Sequence, residues 1–167
     1  YFSRQSPAVA RLFKQEKNFS IVDKQIVLDI HLEILSSIKT QLLRLRQLGQ
    51  LEVSVSPLHH PILPLLCDTN SILESVPDSI LPDTRFNFPE DAYFQVSKSL
   101  EYYRDIFGNS PEGMWPSEGS LSNEVLTILS NNNLKWAASD EMVLANSMHS
   151  DYKPEYKYFP IQYKSST

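Results

Sequence analysis

Trp115-Pro116-Ser117-Glu118-Gly119 is the segment of this sequence best equipped for chemistry. A rigid aromatic stands three residues ahead of a carboxylate, and Gly119 lets the backbone turn closely beside it. An aromatic face stacks on the apolar face of a pyranose, while a carboxylate attacks or protonates at the anomeric carbon. The pattern therefore fits sugar chemistry. On the residues alone, a buried tryptophan and a glutamate that caps a following helix is the favoured reading. Ser117 is not read as a nucleophile, because it lacks the Gly-x-Ser-x-Gly context of a nucleophile elbow.

Other polar residues fall near segment ends. His59 and His60 stand in Pro57-Leu58-His59-His60-Pro61. Neighbours in an extended segment point to opposite sides, so one of the two is expected to bond a substrate hydroxyl rather than both holding one small ligand. A metal would need further ligands, such as Asp68 or Asp140, and no ligand spacing is recognisable. Glu52 lies on the polar side of a predicted strand, as a supporting site group or half of an internal ion pair. Asp140 and Glu141 end another strand, either as helix caps or as substrate contacts. Cys67, beside Leu65 and Leu66, reads as core. The four glycines are isolated, so no phosphate loop is present.

These residues need elements to hold them. Ser20 followed by Asp23 predicts a capping box, opening a helix over 22–48. Its stripe is Ile26, Ile30, Ile34, Ile38 and Leu42, flanked by Val27, Leu35 and Leu45. Gly49 is its natural stop. Leu51, Val53 and Val55 alternate with polar residues, as a strand does. Five prolines between 57 and 88 mark a long stiffened loop containing about one helical turn. Pro89 opens a second helix with Tyr93, Val96, Leu100, Tyr103 and Phe107 on one face, closed by Gly108. A short apolar segment, 113–115, leads to Glu118. A third helix is predicted from Ser122 to Asn131, burying Val125, Leu126 and Leu129, with a left-handed stop within 131–133. Leu134 to Ala138 reads as a strand, and Tyr156 to Phe159 as a possible further one. Helix and strand alternate, which predicts an α/β fold with a parallel sheet. Sites in such folds gather where strands finish.

Composition narrows the partners. The chain has 167 residues, 41% of them hydrophobic, and a net charge of -5. Its densest basic stretch, Lys39 to Arg46, is spaced along a helix and reads as a solvated face rather than a nucleic-acid patch. No run is apolar enough to span a bilayer. One cysteine allows no intrachain disulfide and points to a reducing, cytoplasmic setting. Asn18-Phe19-Ser20 is a glycosylation sequon only if the protein is secreted.

Three ordered segments resemble glycoside hydrolase family 57. They are Gly49-Gln50-Leu51-Glu52-Val53, Ser56 through Leu66, and Gly113-Met114-Trp115-Pro116-Ser117-Glu118-Gly119-Ser120. Leu81-Pro82-Asp83, Arg85-Phe86, Pro89-Glu90-Asp91-Ala92 and Trp136 through Glu141 resemble its amylase-like members. The resemblance implies part of a distorted (β/α)7 barrel, a retaining mechanism on α-linked glucan, and no metal or other cofactor. It places the nucleophile on Glu118. Trp115, His60, Glu52, His59 and Asp140 become substrate-binding candidates, with His60 favoured over His59. An early His-x-His-Gln-Pro-like motif and the segment bearing the acid/base Asp are missing. The chain is therefore expected to be one domain, 1–167, cut from a larger catalytic barrel and inactive alone. Two alternatives stand beside this expectation: a non-catalytic glucan-binding domain, and a metal-dependent polysaccharide deacetylase using His59 or His60. Val55 and Leu58 depart from residues common in the family, which leaves the subfamily open.

Overall fold

Two reciprocal hydrogen bonds start the longest helix. Ser20 Oγ accepts from the Asp23 N–H, and the Asp23 carboxylate accepts from the Ser20 N–H. Together they satisfy donors that a helix start leaves open. In the computed structural model, which describes residues 6–164, the helix spans Ile21–Gln47. It is α2, after a short α1 at Pro7–Gln15. Gly49 (φ 67°) ends it. The Gly49 N–H donates to Arg46 O and the Gln50 N–H donates to Leu45 O, the paired bonds of a Schellman stop. Arg11 Nη2 meets Asp23 Oδ1 at 2.5 Å and ties α1 to α2. Along the apolar stripe of α2, Ile26, Ile30, Ile34 and Leu42 are half-buried, whereas Ile38, Val27 and Leu35 are exposed.

The chain divides into two compact units, Tyr1–Glu52 and Val53–Thr167. The second holds the sheet. Val55 N–H donates to Gly113 O at 3.2 Å and Trp115 N–H donates to Val55 O at 2.9 Å, which makes a parallel bridge. Strand β1 (Gly113–Met114) pairs in parallel with β2 (Trp136–Ala137), Gly113 beside Trp136 and Met114 beside Ala137. Three extended segments thus run the same way in chain order, as the alternation predicts. Two short strands and a bridge do not by themselves trace a barrel. The predicted strand over 51–55 reduces to the bridge at Val55, and Glu52, expected to face a site or an internal partner, is exposed instead.

Helices cover the sheet. The prolyl loop supplies α3 (Leu63–Cys67), a 3-10 turn at Thr69–Ser71 and α4 (Ile72–Ser75), more helix than the single turn predicted. Helix α5 (Pro89–Phe107) begins at its proline and ends at Gly108, φ 77°. Helix α6 (Asn123–Asn131) is capped by Ser122, whose Oγ accepts from the Val125 N–H. Asn133 adopts the left-handed conformation expected near this stop. Leu63, Cys67, Ala92, Val96, Leu100, Met114, Val125, Ile128 and Leu129 form the core. Burial drives this packing at about 25 cal/mol per Å² of apolar surface. Two predicted faces shift slightly. Tyr93 is exposed while Ala92 is buried, and Ile128 is buried in preference to Leu126. Cys67 is buried, and desolvation with the nearby Glu124 and Asp68 charges pushes its thiol up to about 11. The tail forms α7 (Glu141–Met148) and 3-10 turns at His149–Asp151 and Pro154–Tyr158. The strand suggested at 156–159 is absent there, since local turn bonds such as Phe159 N–H to Tyr156 O replace ladder pairing. No helix among the described residues is long and apolar enough to cross a membrane.

Candidate active site

Glu118 sits just past the end of β1, in a tight turn. Pro116 and Ser117 are buried beneath it. Gly119 N–H donates to Pro116 O at 2.9 Å and Ser120 N–H donates to Ser117 O at 3.0 Å. Glu118 itself has φ 55° and ψ 20°, a left-handed conformation uncommon outside glycine. Its side chain is 72% exposed and projects from the turn. Gly119 follows at φ 64°, and a Cβ there would come within 3.1 Å of the Asp140 backbone nitrogen. Ser117 is shut away at 1% exposure, so its hydroxyl is not offered to a ligand.

A second turn brings a base opposite. His60 N–H donates to Pro57 O at 3.0 Å, and His60 also has a positive φ of 55°. The segment is thus a turn rather than the extended run assumed from the sequence. Gln95 on α5 pins it twice. Its carbonyl accepts from the Leu58 N–H at 3.3 Å and its Oε1 accepts from the His59 N–H at 2.9 Å. His60 Nε2 stands 3.6 Å from Glu118 Oε1. That separation is too long for a hydrogen bond.

Ser56, His60, Trp115, Glu118, Gly119, Ser139 and Asp140 line one cleft of about 520 Å³. It opens where the parallel segments finish. Trp115 is 60% exposed, so the buried-tryptophan alternative does not hold. Asp140 both lines the cleft and caps α7, its Oδ1 accepting from the Met142 N–H at 2.7 Å. Glu141 pairs instead with Lys157 at 2.9 Å. His59 is exposed but lies outside the lining set. Glu52 is an exposed residue at the end of the first unit. Among the described lining residues there is no lysine or arginine, so the cleft offers acids, hydroxyls, an imidazole and an indole. Among the described residues, no three His, Cys, Asp or Glu side chains gather as a metal site.

Ser56, Gln95 and Ser139 escaped the sequence reading. Ser56 and Ser139 do end extended segments, as the recognised candidates do. Nothing in the sequence marks Gln95, which reaches the histidine turn from a helix 36 residues away.

A strand-end carboxylate beside an exposed indole suits sugar chemistry. The chain belongs to glycosyl hydrolase family 57, whose family model matches residues 5–163. That family comprises glycoside hydrolases and transglycosylases. No curated protein and no solved structure matches the chain.

Proposed function

We propose that this chain supplies the nucleophile and part of the sugar-binding surface of a retaining enzyme acting on α-linked glucan. Glu118 attacks the anomeric carbon, and the glycosidic C–O bond breaks as the ester forms. A second carboxyl, contributed from outside residues 1–167, protonates the leaving oxygen. It then takes a proton from water or an acceptor hydroxyl, which releases the sugar with its configuration kept. The two carboxyls are expected about 5 to 5.5 Å apart. Residues 1–167 alone are read as inactive, and the surrounding architecture as a (β/α)7 barrel. Trp115 walls the sugar, and His60 and Asp140 bond its hydroxyls. Glu52 is kept as a substrate-binding candidate from its place on the polar side of the predicted strand and the family resemblance, and His59 from its place beside His60.

One observation carries most of this reading: Glu118, His60 and Trp115 share a cleft at the ends of parallel segments. The absence of cationic residues from the described lining favours a neutral polyhydroxyl ligand over a phosphorylated one. The test is Glu118→Ala in the full-length protein, assayed on maltooligosaccharides with and without azide. Turnover should fall by at least roughly a thousandfold, as when a nucleophile is removed. Azide should then occupy the vacated position and leave as β-glucosyl azide. Retained turnover, or loss with no azide product, would count against Glu118 as nucleophile.

A further inference from the structure

The turn that carries Glu118 is strained, and something must keep it so. Glu118 has a positive φ, which is strained for a residue with a Cβ, and Gly119 beside it has one that glycine adopts freely. Such conformations persist at functional sites only where the surroundings over-determine them. The bonds within the turn, Gly119 N–H to Pro116 O and Ser120 N–H to Ser117 O, are local. They fix its shape but do not fix its position against the rest of the cleft. One side chain from another element does that. Ser139, two residues past β2, donates its Oγ–H to the Gly119 carbonyl at 2.6 Å across 20 residues of chain. The missing Cβ of Gly119 lets the 139–140 backbone approach closely enough for this bond.

We infer that Ser139 is a positioning residue for Glu118: its hydroxyl locks the nucleophile's turn to the end of the neighbouring strand. This rests on the catalytic reading of Glu118 given above. The hydroxyl's single proton is spent on Gly119 O, which leaves only its lone pairs toward the cleft. Ser139 therefore acts on the reaction through the Glu118 backbone. Misplacement of a reacting group by about 1 Å costs on the order of a hundredfold in rate, so a modest bond can have a large kinetic effect.

Three full-length proteins decide the matter: wild type, Ser139→Ala and Ser139→Thr. The first measurement is hydrogen exchange at the Gly119 and Ser120 amides, which requires no activity. Exchange should quicken about tenfold in the alanine variant, because the turn opens more often. It should return toward wild type in the threonine variant, which keeps the donor. The second is steady-state kinetics. Ser139→Ala should lower kcat by about tenfold to a hundredfold with KM nearly unchanged, as for an interaction felt in the transition state. Unaltered exchange in Ser139→Ala would overturn the lock. Faster exchange with wild-type kcat would also overturn it, leaving Ser139 a purely structural residue. If Glu118→Ala abolishes turnover while Ser139→Ala keeps it, the lock fails and the catalytic reading stands. If wild type has no glycosidic activity, the catalytic reading fails and exchange alone judges the lock.

Discussion

At the scale of single residues, the cleft is built from side chains held in costly backbone states. Glu118 and His60 both adopt left-handed conformations, each costing about 1–2 kcal/mol for a residue with a Cβ. They face one another at 3.6 Å. Trp115, three residues earlier, needs no such strain. It follows Met114 directly, and strand alternation turns it outward while Met114 is fully buried. Its contribution should therefore be to binding rather than to chemistry. Trp115→Ala is expected to raise KM for maltooligosaccharides roughly threefold to tenfold, the worth of one aromatic stacking contact. Its kcat should stay near wild type, and isothermal titration with the Glu118→Ala protein would give the same loss in Kd. A fall in kcat at constant KM would assign the indole to the reaction step instead. The residue types of Glu118 and Trp115 suit sugar chemistry in the sequence, but it is the family resemblance that singles Glu118 out. The backbone conformations of Glu118 and His60 were not legible there. Left-handed φ is signalled by Gly or Asn, and neither Glu nor His carries that signal.

At the scale of elements, legibility followed local chemistry. Helices α2 and α6 begin at their capping serines, Ser20 and Ser122, α5 begins with Pro89 as its first residue, and Gly49 and Gly108 stop α2 and α5. Caps act within a few residues, so a sequence displays them whole. Strands are different. Val55, Gly113 and Trp136 lie 58 and 23 positions apart in the chain, and each pairing spans only one or two residues. The parallel order was readable from alternation, whereas strand length depends on partners that sequence periodicity does not show. The tail illustrates the same point. Tyr156-Lys157-Tyr158-Phe159 alternates like a strand, but short-range turn bonds win there. Gly113 offers a test at this scale. An added Cβ would lie 1.9 Å from Trp136 Cε2, inside the indole that rests on it. Gly113→Ala should destabilise the fold by about 1–3 kcal/mol, the usual cost of overpacking, read as a lower urea midpoint. Trp136→Ala in the same chain should remove most of the added cost. Additive losses in the double variant would show that the glycine serves some other purpose.

At the scale of the whole molecule, a net charge of -5 coexists with several acids whose charge is locally held. Arg85 grips Asp68 with two guanidinium nitrogens, Nε at 2.8 Å from Oδ1 and Nη2 on Oδ2. The Arg85 hydrogen bond, with one from the Asn70 N–H, holds the Asp68 carboxyl down to about 2. The pair staples the prolyl loop, since Asp68 follows α3 and Arg85 closes the excursion before α5. Asp23 is likewise depressed by Arg11 and Ser20, and Glu101 by Lys98. A carboxyl depressed in the folded state binds its proton more readily when unfolded. Its contribution is thus complete above the unfolded value of about 3.9 and disappears as pH falls through the folded one. For Asp68 the window is roughly pH 4 down to 2. Arg85→Met removes the main cause and keeps much of the side-chain volume. Its urea midpoint should lie below wild type at pH 6, and the gap should close progressively from pH 4 to pH 2. A gap that stays constant with pH would mean that Arg85 stabilises by packing its stem rather than by its charge. The same titration separates the two roles of acids in this protein. Because Asp68 is not among the residues lining the cleft, Arg85→Met should leave the pH profile of kcat unmoved wherever the fold survives.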